Sequence, residues 1–244
     1  MIFTIFTLFP GLFASPLQES IIKKAADKGI LQFNIVNIRD FAEDIHKTCD
    51  DSSYGGGPGM VMKVGPIHRA VDYVEKNLGR SKTILLTPQG RIFDQSMAER
   101  FSMLSHVSLI CGRYEGVDER VLTFVDEEIS IGDYILSGGE VAALVLIDAI
   151  SRCIPGVLGN EQSAVSESFH EHLLEYPQYT RPEEWEDMAV PPVLLSGNHE
   201  EIRKWRRQEA IKKTILKRPD LMERFIPTEE DEGFIRKTME DIHE

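Results

Sequence analysis

KTILLTPQGRIFDQSMAERFSMLSHVSLIC, residues 82–111, decides the fold. An aliphatic run at 82–87 reads as a strand and ends in Pro88-Gln89-Gly90. A helix follows from Asp94 to Leu104, and a second apolar run, 106–111, gives another strand. Strands alternating with helices imply a mostly parallel sheet covered on both faces, with ligands gathering at the carboxyl ends of its strands.

The same alternation extends in both directions. Residues 1–9 carry large apolar side chains in a strand-like pattern. Ser15-Pro16-Leu17-Gln18 supplies an N-cap, a proline at N1 and a glutamine at N3, so a helix is expected to start there and to close at Gly29. Leu31, Phe33, Ile35 and, after a slip, Ile38 mark a second strand, and a helix is expected near 65–77. Beyond residue 111, a short strand near 125–130 precedes an apolar helix from Gly139 to Arg152. From Asn160 to Arg181 the chain turns polar, and prolines 182, 191 and 192 precede a helix capped by Asn198. The boundaries are therefore an α/β domain over 1–160, a linker over 161–180 and a small helical domain over 181–244. The acidic stretch from Thr228 to Glu244 reads as a solvated end in preference to a last helix.

Composition excludes several classes. The 244 residues are 42% hydrophobic and 27% charged, which places the chain among globular proteins. Cys49, Cys111 and Cys153 are odd in number and lack CxxC spacing, so neither a disulfide framework nor a zinc cage is suggested; the pattern suits a reducing cytoplasm. Met1 to Phe13 has no basic segment before Lys23, and Pro10-Gly11 interrupts it, so it reads as a buried strand and turn instead of a leader. No run reaches the roughly 18 apolar residues of a membrane span. A net charge of −13 argues against a polyanionic partner, yet the distribution is uneven. Between Arg203 and Arg218, eight basic residues stand against one acid, Glu209, and form the one basic island.

Three glycine-bearing segments follow strands: Thr87-Pro88-Gln89-Gly90, Cys111 to Gly116 (CGRYEG) and Ser130 to Gly139 (SIGDYILSGG). One such segment is an ordinary turn. Three at strand ends gather on one side of a sheet, where glycine lets backbone approach a ligand. They match no dinucleotide fingerprint, and Tyr54-Gly55-Gly56-Gly57-Pro58-Gly59 lacks the GK[ST] ending of a phosphate loop.

The ordered stretches SSYGGGPGMVMK (52–63), LTPQGRIFDQ (86–95), ICGRYEGVDERV (110–121), SIGDYILSGGE (130–140), IPGVLGN (154–160), YPQYTRP (176–182) and PPVLLSGNHEEIRKWRR (191–207) resemble the bacterial tRNA (guanine-N1)-methyltransferases that modify guanosine 37. The resemblance runs from Met1 to about Arg224. It implies a SPOUT fold with a deep trefoil knot, a homodimer whose active site lies between subunits, and S-adenosylmethionine as methyl donor. On the family pattern the donor pocket takes Pro88, Gly112, Tyr114, Glu115 and Gly116. It also takes Ile131, Gly132, Asp133, Tyr134, Ile135 and Leu136, with Gly138 and Gly139. Magnesium dependence is a family feature too, although no ligand cluster places an ion.

Guanine N1 carries a proton at neutral pH, so its methylation calls for a positioned base. The family places an aspartate before a Ser-Phe pair; here the pair is Ser168-Phe169 and the preceding residue is Glu167, whose extra methylene changes reach more than acidity. A second departure is His172, where the family usually has a glycine before two leucines. Arg152 matches a family arginine near the guanine oxygen, where a cation would favour negative charge on O6. In the basic helix, Arg206, Lys213 and Lys217 share one side, with Arg203 and Arg207 nearby, as an RNA-phosphate clamp. Trp205 reads as core. The rivals are a knotted RNA methylase acting on another nucleotide and a non-catalytic RNA binder.

Overall fold

A computed structural model of the chain describes residues 1–159 and 168–243. It divides into two compact units, Met1–Glu161 and Gln162–Glu244.

The first unit is built on five parallel strands, β1 (Ile2–Thr7), β2 (Gln32–Asn37), β5 (Lys82–Ile92), β6 (His106–Cys111) and β7 (Glu127–Ser130), in the order β2-β1-β6-β5-β7. A separate antiparallel pair, β3 (Asp50–Asp51) and β4 (Val61–Met62), flanks the glycine tract at 55–59. Because strand side chains alternate, each central strand feeds two cores. Phe3, Ile5, Ile84, Leu86, Leu109 and Cys111 face one way and pack with α1 (Ser20–Asp27), α3 (Gln95–Ser102) and α4 (Glu140–Arg152). Phe6, Leu85 and Ile110 face the other way, toward Ile67, Ala70, Val71 and Val74 of α2 (Val64–Leu78). Burial on both faces explains why these strands read as continuous apolar runs.

The helix expected from Ser15 begins later. Ser15 sits in the helical region without a side-chain cap, and Pro16–Gln18 closes only a 3-10 turn. Glu19 is extended, Ser20 has a φ of +55°, and α1 runs from there to Asp27. Gly29, at φ +73°, follows the helix end as expected. Strand β5 also outruns its expected end. Its pairing with β7 shifts between Leu86 and Arg91, so Thr87–Gly90 leaves the ladder while the strand continues to Ile92. At Gly90 a Cβ would overlap the backbone of Ile129 and Glu128, which fixes glycine at that crossing.

The second unit carries a two-stranded hairpin, Glu184–Trp185 with Met188–Ala189, and the basic helix His199–Lys217. Asn198 caps that helix by accepting from the amides of Glu200 and Glu201 at 3.2 and 3.4 Å. Leu173, Ala210, Ile211 and Phe225 form its core. The acidic tail is a helix, Glu229–His243, and not a solvated end. Thr228 and Asp231 cap it reciprocally: the Asp231 amide donates to Thr228 Oγ1 at 3.2 Å, and the Thr228 amide donates to Asp231 Oδ2 at 2.9 Å. Four acids in its first turn also suit the positive end of the helix dipole.

Candidate active site

The three glycine-bearing segments converge. Leu85–Gln89 at the bulge within β5, Gly112–Val117 after β6, and residues between Glu128 and Ala142 around β7 and the start of α4 line one cavity of about 430 Å³ on the carboxyl side of the sheet. Of the thirteen residues expected at the donor pocket, twelve line it; Asp133 is not among the lining residues.

Local chemistry shapes each wall. After β6 the chain turns sharply through Tyr114 (φ +60°) and Gly116 (φ +127°). The Glu115 amide donates a hydrogen bond to the Met60 carbonyl (3.0 Å) and the Met62 amide donates to the Gly116 carbonyl (3.0 Å), which stitches this turn to the glycine tract. At Gly59 a Cβ would overlap the Glu115 side chain, so the two loops touch. After β7, Ser130 Oγ accepts from the Gly132 amide and donates to the Gly132 carbonyl, both at 3.2 Å. Tyr134 Oη donates to the Ile131 carbonyl at 3.1 Å. Gly132, at φ +141°, leaves room for the Tyr134 ring, which a Cβ would meet at 2.6 Å.

The β6 and α4 walls are joined to each other. Arg113 and Gly138 form an antiparallel bridge, and the Gly139 amide donates to the Gly112 carbonyl at 2.9 Å. A Cβ on Gly139 would lie 2.8 Å from Cys111 Cα, so backbone alone can pass there. Beneath this seam Glu140 is 1% exposed. Its Oε1 accepts from Thr7 Oγ1 at 2.7 Å, and its Oε2 lies 2.9 Å from Arg113 Nε as an ion pair without an aligned hydrogen bond. Arg113 Nη1 donates to the Ser137 carbonyl at 3.0 Å, and the guanidinium lies 4.5 Å from the Phe9 ring centroid. Sequence reasoning missed Arg113 and Glu140. Their signal was their place inside the quoted motifs, beside the glycines assigned to the pocket.

Arg152 occupies the last turn of α4, half-buried and engaged with other groups. Glu167 lies outside the described residues. In the second unit, the five cations expected to meet RNA divide. Arg207 donates to both oxygens of buried Asp231 at 3.2 and 3.1 Å and to Glu171 at 2.6 Å, and Lys213 donates to the Glu175 carbonyl at 2.9 Å. Burial works against the Asp231 carboxylate, but the bonds from Arg207 and Thr228 prevail and hold its pKa below the usual range. Arg203, Arg206 and Lys217 are exposed, Arg206 lying 4.8 Å from the Tyr176 ring centroid. Trp205 is half-buried, 6.4 Å from the Tyr179 ring.

The family described as tRNA (guanine-1)-methyltransferase TrmD matches residues 1–224. The chain belongs to this family. Its tRNA (guanine-N(1)-)-methyltransferase relatives include one from Dictyoglomus turgidum, 53% identical over 98% of this chain and 97% of that protein. Another, from Citrifermentans bemidjiense, is 56% identical over 91% of this chain and 90% of the relative. The crystal structure of the tRNA (m1G37) methyltransferase from Aquifex aeolicus superposes with a TM-score of 0.75 at 42% identity, covering 91% of this chain and 94% of that one. Membership in the tRNA (guanine-1)-methyltransferase family assigns the chain to the methyltransferases. Among the described residues no helix is long and apolar enough to cross a membrane, and no group of three His, Cys, Asp or Glu could hold a metal ion.

Proposed function

We propose that the chain transfers a methyl group from S-adenosylmethionine to N1 of guanosine 37 in tRNA, next to the anticodon. The convergence of three glycine-bearing strand ends on one cavity, in a chain matched to this family over residues 1–224, carries the reading. The residues present fit the donor. About 430 Å³ lies within the range of small-molecule sites, and Leu86, Ile131, Leu136 and Ala142 offer apolar surface to an adenine. Gly112, Gly116, Gly138 and Gly139, having no side chains, let the donor approach the backbone of the wall closely. Bound there, S-adenosylmethionine would supply an electrophilic methyl carbon on a positively charged sulfur.

Glu167 takes the proton from guanine N1 as the new N–C bond forms and the C–S bond breaks, leaving a neutral thioether. Arg152 stabilises the negative charge that develops on O6. Exposed Arg203, Arg206 and Lys217 contact tRNA phosphates. The trefoil knot, the homodimer with a shared active site, the 161–180 linker carrying the base, the tRNA-binding role of 181–244 and a cytoplasmic location complete the reading. Magnesium assists without an assigned position.

Incubation with unmodified tRNA and methyl-labelled donor, followed by mapping of the modified nucleotide, tests the proposal. Label at N1 of guanosine 37 is the expected result, and label at any other nucleotide overturns it. Glu167→Gln should lower turnover by roughly a hundredfold or more while donor affinity is kept; turnover at the wild-type rate removes Glu167 from the mechanism.

A further inference from the structure

We propose that the buried carboxylate of Glu140 makes the cavity prefer a positively charged donor over its uncharged demethylated product, by cancelling the charge of Arg113 in the cavity wall. The inference rests on the reading of that cavity as the donor site.

Arg113 is held where it is by geometry. It lines the cavity, and its backbone bridges Gly138. Its guanidinium donates to the Ser137 carbonyl and covers the Phe9 ring, so one side chain fastens two walls together. A shorter or apolar side chain could not both donate to the Ser137 carbonyl and cover the Phe9 ring. The arrangement nevertheless sets a fixed positive charge in the wall of a cavity that must accept a sulfonium. Glu140 answers that charge. At 1% exposure its field is not diluted by water, and its two oxygens are held by Thr7 and Arg113 at 2.7 and 2.9 Å.

Stability alone does not account for the pair. Taking two ions out of water costs free energy that their attraction recovers only in part, and well-packed apolar residues often serve as well or better. Its position does account for it: among the described residues the carboxylate neutralises the one cation that lines the cavity, and Glu115, Glu119 and Glu128 are the other charged lining residues. S-adenosylmethionine and S-adenosylhomocysteine share the adenosine, the carboxylate and the ammonium group. They differ by one methyl and one unit of charge at sulfur. The contribution of the methyl cancels when the ratio of their affinities is compared between wild type and a charge variant, so the change in that ratio reports the electrostatic contribution. A wall that favours the sulfonium also favours release of the thioether after transfer.

Calorimetric titration of the full-length chain with each ligand tests this. Glu140→Gln retains an acceptor for Thr7 but leaves Arg113 uncompensated, and it should lower the donor-to-product affinity ratio roughly tenfold, the scale of one unit charge at about 8 Å in partly screened surroundings. The double variant Arg113→Gln, Glu140→Gln removes both charges and should return the ratio toward the wild-type value even where both affinities fall. Equal weakening of the two ligands by Glu140→Gln, or a ratio that stays low in the double variant, overturns the proposal. Should Glu140→Gln not fold, Arg113→Gln decides: its ratio stays or rises, and a fall overturns the inference. Wild-type protein that binds neither ligand overturns the donor-site reading, and this inference with it.

Discussion

Gly139 sits where the backbone of α4 crosses that of β6, and the obstacle to any larger residue is other backbone, which cannot rotate away. Gly139→Ala should weaken donor binding about tenfold or more and destabilise the fold by roughly 1–3 kcal/mol, as overpacked cores do, read by calorimetry and by denaturant midpoint. His172 is the opposite case. It stands in the left-handed region at φ +63°, where a β-carbon is crowded, and this explains why a glycine suits the position. His172→Gly should therefore stabilise the second unit by about 0.5–1 kcal/mol, the roughly 1–2 kcal/mol of left-handed strain relieved exceeding the roughly 0.4–1 kcal/mol of added unfolded-state entropy, read by denaturant midpoint. Glu127 offers a pH test. Arg100 at 2.7 Å, with Lys82 at 2.9 Å, lowers its pKa to about 2, against an ordinary value of 4.5 and despite partial burial. A carboxylate depressed on folding contributes stability above its unfolded pKa and loses it as pH falls toward the folded one, so the window runs from about pH 4.5 down to about 2. Glu127→Gln should remove on the order of 2 kcal/mol at neutral pH, allowing for the half-exposed Arg100, and flatten the acid limb of the stability curve over that window.

The basic helix shows what helical periodicity can and cannot tell. Spacing in the sequence puts Arg206, Lys213 and Lys217 near one another, but it does not reveal that Lys213 is drawn to the Glu175 carbonyl or Arg207 to Asp231 and Glu171. Substituting Arg203, Arg206 and Lys217 together by alanine should weaken tRNA binding and reduce the slope of log affinity against log salt by about 0.7–0.9 for each phosphate left without its cation. Arg207→Ala should instead cost stability, because it leaves a nearly buried carboxylate with one partner fewer. The acidic terminal helix is encoded locally by Thr228-Glu229-Glu230-Asp231, a reciprocal cap that the surrounding run of charge disguises as a solvated end.

At the scale of the whole molecule, the proposed shared active site ties activity to assembly. Sedimentation should give twice the 27.7 kDa chain mass at working concentration, and activity per chain should fall on dilution below the dimer dissociation constant. A monomer of undiminished specific activity would exclude a site shared between subunits. The parallel sheet gives the proposed donor cavity its place, since the central strands run toward the same side and the bulge of β5 meets the loops after β6 and β7 there.

The sequence by itself determined the alternation of apolar strands and helices, the glycines of the cavity wall and the family, because periodicity, turn chemistry and ordered motifs are local properties of a chain. Tertiary structure alone decided that α1 starts at Ser20, that β5 resumes after its bulge, that Arg207 belongs to Asp231, and that Glu140 lies against Thr7 and Arg113. Thr7 and Glu140 are 133 residues apart in sequence, and only the stacking of α4 onto the strand ends brings such groups within hydrogen-bond reach.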